Sequence, residues 1–226
     1  MIKDMAISTI TIGGLLTGCL SSSILVAGEF ERQTVLAVLC KPVSRVHFIL
    51  GKYLGILAAT CLLVLSQGLV LEVALIIRNY STVQSGVINF SGLIDFVCIL
   101  GICFSLLQIL ILTAISLVLS LYLNAIANLT ICLFFFIFCN TFSYILPIHS
   151  HSQEGVSTVT YMCYTFFPDF QSLNMAVINE VVTAPSSYWQ GGNIAQYVVC
   201  EMAYGTIYCA AIVWLAVFLF KRKELA

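Results

Sequence analysis

Charged residues are scarce in this sequence: only 8% of its 226 residues are Asp, Glu, Lys or Arg, whereas 61% are hydrophobic. An ordinary soluble domain carries about 25% charged residues. Because this small number of polar groups cannot cover a globular surface in water, most of the chain must be surrounded by lipid. The formal net charge of −1 gives no indication of nucleic-acid binding. We therefore expect one membrane domain, residues 1–226, without a separate soluble domain.

The motifs of common active sites and nucleotide sites are also missing. The sequence has no HExxH, no GxSxG and no glycine-rich phosphate loop, so we expect no ATPase site on this chain, and any energy must come from a partner. Its ten cysteines include no CxxC pair, and most lie inside apolar runs, where a cysteine packs as a small hydrophobic side chain. We interpret His149 and His151, near Glu154, as part of a solvated loop. We predict no catalytic residue, no metal site and no cofactor on this chain.

Long apolar runs, in contrast, are abundant. Five of them reach the length of about 20 residues that a transmembrane helix needs. They cover about residues 5–27, 46–77, 93–119, 126–146 and 196–220. Their apolar character is continuous rather than alternating, which predicts helices. Gly13, Gly14 and Gly18 give the first run a small-residue face for close packing. The sequence thus predicts an all-α membrane protein with five transmembrane helices.

The basic residues predict how these helices are oriented, because Lys and Arg concentrate in cytoplasmic loops. Four of the nine lie in the loop over residues 28–52, and three lie in the C-terminal tail. The opposite face holds only Lys3 and Arg78. We therefore predict that the N-terminus lies outside, and that this loop and the C-terminus are cytoplasmic.

The predicted outer face carries a large loop, about residues 148–195. Pro168 and Pro185 are turn signals, and the partly apolar stretches between such signals predict short interfacial or re-entrant helices. Three carboxylates are expected near the outer ends of their helices: Glu72, Asp95 and Glu201. They either line an outer exit or anchor the helices in the interface, and both interpretations stay open.

Two glutamines and two asparagines lie within or beside the apolar runs. Gln67 and Gln108 lie deeper in the membrane than the carboxylates. Their side chains either line a polar path between the helices or hydrogen-bond another helix. Asn124 and Asn128 flank the short cytoplasmic link between the third and fourth runs, so we expect them to cap helix ends there.

The loop after the first predicted helix is the most polar part of the chain. Glu29 and Glu31 fall in the first turn of a predicted helix, where the helix dipole favours negative charge. The apolar residues that follow end at Lys41, because the residue before a proline avoids the helical region. The pattern predicts a short amphipathic helix, about residues 29–39, lying in the interface. By composition alone, a solvated loop that merely obeys the positive-inside rule is the alternative.

Three strings of the sequence carry a family resemblance. The first combines Glu29-x-Glu31-x-x-Thr34, Leu39-x-Lys41-Pro42-Val43-Ser44-Arg45 and Gly51-Lys52-x-x-Gly55. The second is Phe167-Pro168-Asp169-Phe170, followed by Leu173-Asn174. The third is the C-terminal Phe220-Lys221-Arg222-Lys223-Glu224-Leu225. In this order and spacing they resemble the ABC-2 type permeases, in particular those of gliding, polysaccharide-export and copper-enzyme-maturation systems. The first string is the most specific.

The resemblance implies a transport function. In that family two permease subunits form the translocation path, and two cytoplasmic ATPase subunits bind ATP and Mg. In family members, the helix between the second and third spans docks on the ATPase. When the ATPase subunits close, this helix transmits their motion to the membrane spans. Carried over to this chain, coupling to the ATPase falls on Glu29, Glu31, Arg32, Thr34, Lys41, Pro42, Ser44, Arg45, Gly51 and Lys52. The implied protein is a permease of an ABC exporter in the bacterial cytoplasmic (inner) membrane, working with a second permease subunit.

One feature departs from the family, which usually has six spans with both termini inside. This chain begins where the second family span would begin, so we expect five. A non-transporting membrane scaffold and an intramembrane enzyme stay open as alternative functions. The enzyme would need catalytic groups at one depth, and its candidates, Glu72 and the pair His149 and His151, lie in different regions.

Overall fold

The computed structural model describes residues 2–28, 45–82, 96–145, 167–174 and 194–222, and the regular structure of these ranges is helical. Five long helices follow one another along the chain: α1 Ile2–Ser22, α2 Arg45–Thr82, α3 Phe96–Ser120, α4 Ala125–Ile145 and α5 Ile194–Arg222. A π-helical turn, Ser23–Ala27, continues α1. The prediction of an all-α membrane protein is therefore confirmed.

Four of the described helices are long and apolar enough to cross a bilayer. Their apolar parts are Lys3–Val26, Val46–Arg78, Phe96–Ser120 and Ala195–Phe220. Helix α4 contributes a shorter apolar stretch, Ala125–Thr141. The largest departure from the predicted ends is in α2, which continues to Thr82 rather than to residue 77. At 1.5 Å per residue its 38 residues span about 57 Å, which exceeds the ~30 Å hydrocarbon core, so α2 must tilt or project from it.

Helix α3 is the centre of the bundle and packs against the other four helices. Its Phe104 and Ile111 side chains are fully buried. Helices α2 and α5 lie at the periphery, where large apolar side chains such as Leu62 (71% exposed) and Trp214 (69% exposed) point outward. Apolar faces of this size are stable in lipid rather than in water, which agrees with a membrane-embedded bundle.

Two glycines allow α1 to approach α3 closely. A Cβ atom added at Gly14 would overlap the Ile109 side chain, and one added at Gly18 would overlap Thr113. A Cβ atom at Gly13 would meet the Gln67 side-chain amide, with Nε2 at 3.4 Å and Oε1 at 3.7 Å, and these are ordinary contacts. The predicted small-residue face of α1 is thus confirmed for the two residues that are four positions apart, the spacing typical of close membrane-helix packing.

The π-turn, the start of α2, the α3–α4 turn and the end of α5 meet at one end of the bundle. Val26, Ile49, Leu121 and Phe220 share one buried apolar cluster there. The Phe48 ring stacks on that of Phe220, with 6.1 Å between the ring centroids. The distribution of basic residues in the sequence predicts that this end of the bundle faces the cytoplasm. The other end holds the beginning of α3 and α5 and the segment 167–174.

Candidate functional site at the two ends of the bundle

Most of the predicted coupling residues lie outside the described residues. These are Glu29, Glu31, Arg32, Thr34, Lys41, Pro42 and Ser44, together with the predicted amphipathic helix. Arg45 is the first residue of α2, and Gly51 lies on its exposed side with open space around it. The Lys52 ammonium donates a hydrogen bond to the Leu25 carbonyl oxygen and lies 4.8 Å from the centre of the Phe48 ring. Lys52 therefore ties α2 to the end of α1.

The π-turn immediately precedes the charged segment 29–44. It ends at Gly28, whose backbone angles, φ −62° and ψ −30°, are still helical. Single π-turns within α-helices are rare and frequently occur at functional sites. Because α2 begins at Arg45 at the same end of the bundle, both ends of the segment 29–44 are attached to this end.

A buried hydrogen-bond network fixes the π-turn to α3 and α4. Asn128 Nδ2 donates to Ser23 Oγ at 2.6 Å and to Ser116 Oγ at 3.0 Å. Ser23 Oγ in turn donates to the Cys19 carbonyl oxygen at 2.7 Å, and Cys132 Sγ donates to Asn128 Oδ1 at 3.5 Å. Asn128, Ser23 and Ser116 are fully buried. A satisfied network of this kind in an apolar interior fixes one packing arrangement. The expectation that Asn128 caps a helix end is corrected here, because its amide bonds two other helices.

At the opposite end, residues 167–174 enter the bundle. The Phe170 side chain is fully buried, and its carbonyl oxygen accepts a 2.7 Å hydrogen bond from Gln108 Nε2. Gln108 is in the middle of α3, so the segment reaches roughly half the depth of that helix. The Phe167 ring packs against Phe138 at a centroid distance of 5.2 Å, and the Tyr197 hydroxyl donates to the Ser172 carbonyl oxygen at 2.7 Å. The segment is thus re-entrant and held by three helices.

The described part of the outer loop forms turns, with a hydrogen bond from Asn174 N to the Gln171 carbonyl oxygen at 2.9 Å. The rest of the loop, including His149, His151 and the neighbouring stretches for which short helices are predicted, lies outside the described residues. Those short helices stay a prediction.

Of the three predicted outer carboxylates, Glu201 contacts the re-entrant segment. Its carboxylate accepts a 3.1 Å hydrogen bond from Ser172 Oγ and interacts electrostatically with Asp169. Glu72 lies on α2 with its carboxylate oxygens buried, and Asp95 lies outside the described residues. The segment 167–174 therefore places the Ser172 hydroxyl against Glu201, while the like charge of Asp169 opposes that of Glu201. The sequence analysis predicted neither relationship.

A cavity of about 210 Å³ lies between α1, α3, α4 and the re-entrant segment. Its polar lining residues are Ser8, Thr11, Ser105, Gln108, Asn140 and Asn174. The other lining residues are apolar, and none of the described residues around it carries a charge. Of these residues, the sequence analysis named Gln108 as a polar residue of the membrane interior and Asn174 only as part of a family motif. The other signal available in the sequence was the recurrence of Ser and Thr in the outer half of α1.

The described part of the chain contains no group of three His, Cys, Asp or Glu residues able to hold a metal ion. The cysteines described there are free thiols. Cys19, Cys98, Cys132 and Cys139 are buried in the apolar core, as expected for cysteines within apolar runs.

The described helices define a multi-pass helical membrane protein in which the segment 167–174 enters the bundle between the helices. Residues 1–225 match the model of the family described as "ABC-2 family transporter protein". The chain therefore belongs to the ABC-2 transporter family and is a membrane subunit of a transporter. The curated proteins and the solved structures compared with it gave no match.

Proposed function

We propose that this chain is the permease subunit of an ABC exporter. It forms the translocation path together with a second permease subunit, identical or different, and is driven by a separate cytoplasmic ATPase that binds ATP and Mg. Family membership supports a transport role. The network centred on Asn128 supports the coupling route, because it joins the helix that precedes the charged segment to two further helices.

The proposed route of force starts at the segment 29–44, where Glu29, Glu31 and Arg45 are offered to the ATPase. Displacement of this segment pulls on the π-turn at one end and on α2 at the other. Because Asn128 holds Ser23 against α3 and α4, and Lys52 holds Leu25 against α2, the helices follow as one unit. A single anchor would allow α1 to move alone, whereas these contacts distribute the displacement over the bundle.

This route requires a definite orientation in the bacterial cytoplasmic membrane. The segment 29–44, the α3–α4 turn and the C-terminus face the cytoplasm, and the N-terminus and the re-entrant segment face outward. The distribution of Lys and Arg supports this orientation. Glu72, Asp95 and Glu201 then lie toward the outer exit, where the contact of Glu201 with Ser172 supports a role in holding the exit segment.

The proposal is tested by reconstituting the chain with the ATPase that co-purifies with it and measuring ATP hydrolysis. Replacing Glu31 and Arg45 together by Ala is expected to reduce co-purification and permease-dependent hydrolysis severalfold. Asn128→Leu is expected to preserve co-purification but to lower permease-dependent hydrolysis, because docking is intact and transmission is not. Thr130→Val, on the exposed side of the same helix, is the matched control.

Two outcomes would favour the alternative functions. A chain that binds an ATPase without altering its hydrolysis behaves as a scaffold. A chain that turns over a lipid or peptide without any ATPase behaves as an intramembrane enzyme. Either result excludes the exporter proposal.

A further inference from the structure

We propose that the cavity between α1, α3, α4 and the re-entrant segment binds one neutral, hydroxyl-rich group of about the size of a monosaccharide. This inference deepens the proposed function, since such a group would be part of the transported substrate. The binding itself, however, requires only the described part of this chain. Four observations carry it: which hydrogen-bonding groups around the cavity are already used, which are left, the lack of charge and the volume.

The three hydroxyl groups around the cavity have already donated their hydrogens. Ser8 Oγ donates to the Asp4 carbonyl oxygen at 2.8 Å, and Thr11 Oγ1 donates to the Ile7 carbonyl oxygen at 2.9 Å. Ser105 Oγ donates to the Ile102 carbonyl oxygen at 2.8 Å. A hydroxyl group has a single hydrogen, so each of these oxygens can only accept from a ligand.

Two of the three amides around the cavity, those of Gln108 and Asn140, are oriented in the same sense. Gln108 Nε2 donates to the Phe170 carbonyl oxygen, and Asn140 Nδ2 donates to the Phe136 carbonyl oxygen at 3.0 Å. A carbonyl oxygen only accepts, so the nitrogen of each amide must face it, and this fixes the two amide orientations. The amide oxygens of Gln108 and Asn140 are then left as acceptors, and each amide keeps one further N–H.

Apart from the Asn174 amide, the groups that remain are five oxygen acceptors and two N–H donors. With the whole Asn174 amide added there are six acceptors and four N–H donors, so acceptors stay in excess, and this excess selects the ligand. A group rich in hydrogen-bond donors is needed to satisfy the five oxygens. An anion would meet mostly acceptors and is disfavoured. A cation would lose its hydration without gaining a carboxylate, since none of the described lining residues is charged. A neutral polyol fits, because each of its hydroxyl groups donates to one group and accepts from another.

The volume sets the size of this group. The volume of about 210 Å³ is more than ten times the ~10–15 Å³ that one water needs on the same measure. Cavities for drug-sized ligands start at about 300 Å³. This volume suits a single sugar or cyclitol ring, and because the cavity is open on one side, the rest of a longer substrate stays outside it. The apolar walls, which include Phe136 and Leu173, match the C–H faces of such a ring.

The test is saturation-transfer NMR on the purified chain in lipid nanodiscs, without ATPase or ATP. Glucose and myo-inositol are the probes, and glucosamine and glucose 6-phosphate are the charged comparators. We expect both neutral probes to bind and both charged compounds to bind at least tenfold more weakly. Thr11→Val and Ser105→Ala each remove one acceptor and are expected to weaken binding about threefold to tenfold.

The matched control is Thr17→Val, which removes a similarly back-bonded hydroxyl from the same helix outside the cavity. It is expected to leave binding unchanged. Ser8→Ala, at a more exposed position of α1, provides a second cavity variant in case Thr11→Val fails to fold.

The proposal is overturned if neither neutral probe binds, if glucosamine binds better than glucose, or if Thr17→Val weakens binding as much as the cavity variants. Its failure is distinguishable from failure of the exporter proposal, because the NMR experiment contains no ATPase. Loss of coupling in the Glu31 and Arg45 variants would leave probe binding intact, and loss of probe binding would leave coupling intact.

Discussion

Asn128 on α4 donates a 2.6 Å hydrogen bond to Ser23 in the π-turn of α1, and both side chains are fully buried. The bond links the π-turn, which directly precedes the segment 29–44 in the sequence, to the first turn of α4. In an interior made of Leu, Ile and Phe, a polar pair of this kind restricts how the helices can pack. In the coupling proposed above, this bond passes a displacement of the segment to α3 and α4.

The first prediction concerns the stability that this pair provides. Asn128→Leu is expected to lower the free energy of unfolding by about 1–3 kcal/mol, because the oxygens of Ser23 and Ser116 and the Cys132 thiol lose their buried partner. Denaturant titration of the chain in mixed micelles measures it. Thr130→Val on the same helix should change the value by less than about 0.5 kcal/mol.

The second prediction concerns the close packing of α1 on α3. Gly14→Ala and Gly18→Ala are each expected to destabilise the chain by about 1–3 kcal/mol, because the added Cβ atoms overlap the Ile109 and Thr113 side chains. Gly55→Ala is the control, since nothing lies within 4 Å of its added Cβ atom. Equal melting temperatures for Gly14→Ala and Gly55→Ala would contradict the packing described here.

A third prediction concerns the re-entrant segment. Gln108→Leu removes the donor that holds the Phe170 carbonyl oxygen in the middle of the bundle. Backbone amides of residues 170–174 are expected to exchange with solvent at least tenfold faster in this variant. Gln67→Leu on α2 serves as the control, because Gln67 Oε1 has no hydrogen-bond partner within the described ranges. Unchanged exchange in Gln108→Leu would show that the aromatic contacts alone hold the segment.

A fourth prediction concerns orientation. Single cysteines introduced at Arg45 and at Lys223 in a chain without its native cysteines should react from the same side of the membrane, the cytoplasmic one. A cysteine at Asn174 should react from the opposite side. Labelling with a membrane-impermeant maleimide on sealed inverted vesicles measures this, and opposite labelling of the positions 45 and 223 would rule out the proposed topology.

The architecture could be predicted from the sequence, because continuous apolar runs of more than 20 residues have one stable form in lipid. The small-residue face of α1 could also be predicted, because glycines four positions apart are visible within a single stretch of sequence. The partner of Asn128 could not be predicted, because which helix faces a polar side chain is decided by tertiary packing. The sequence analysis expected Asn128 to cap a helix end, and it did not use the argument that lipid disfavours an exposed amide inside an apolar run.

The outer site was predicted less completely, for a similar reason. The string from Phe167 to Asn174 marked an outer segment, but nothing in it specified that Phe170 lies beside the middle of α3. The cavity lies where this segment meets α1, α3 and α4, beside Thr11, Ser105 and Gln108. Short-range patterns carry no information on such a space, which forms between elements distant in the chain.

The central claim, that the loop after α1 receives work from an ATPase, is tested most directly by site-specific photo-crosslinking in the assembled membrane complex. A benzophenone side chain is placed at Glu31, and a second variant carries it at Asn174 as the control. The account predicts a covalent adduct with the ATPase subunit from position 31 and none from position 174. An ATPase adduct from position 174, or its absence from position 31 in a complex that hydrolyses ATP, would contradict it.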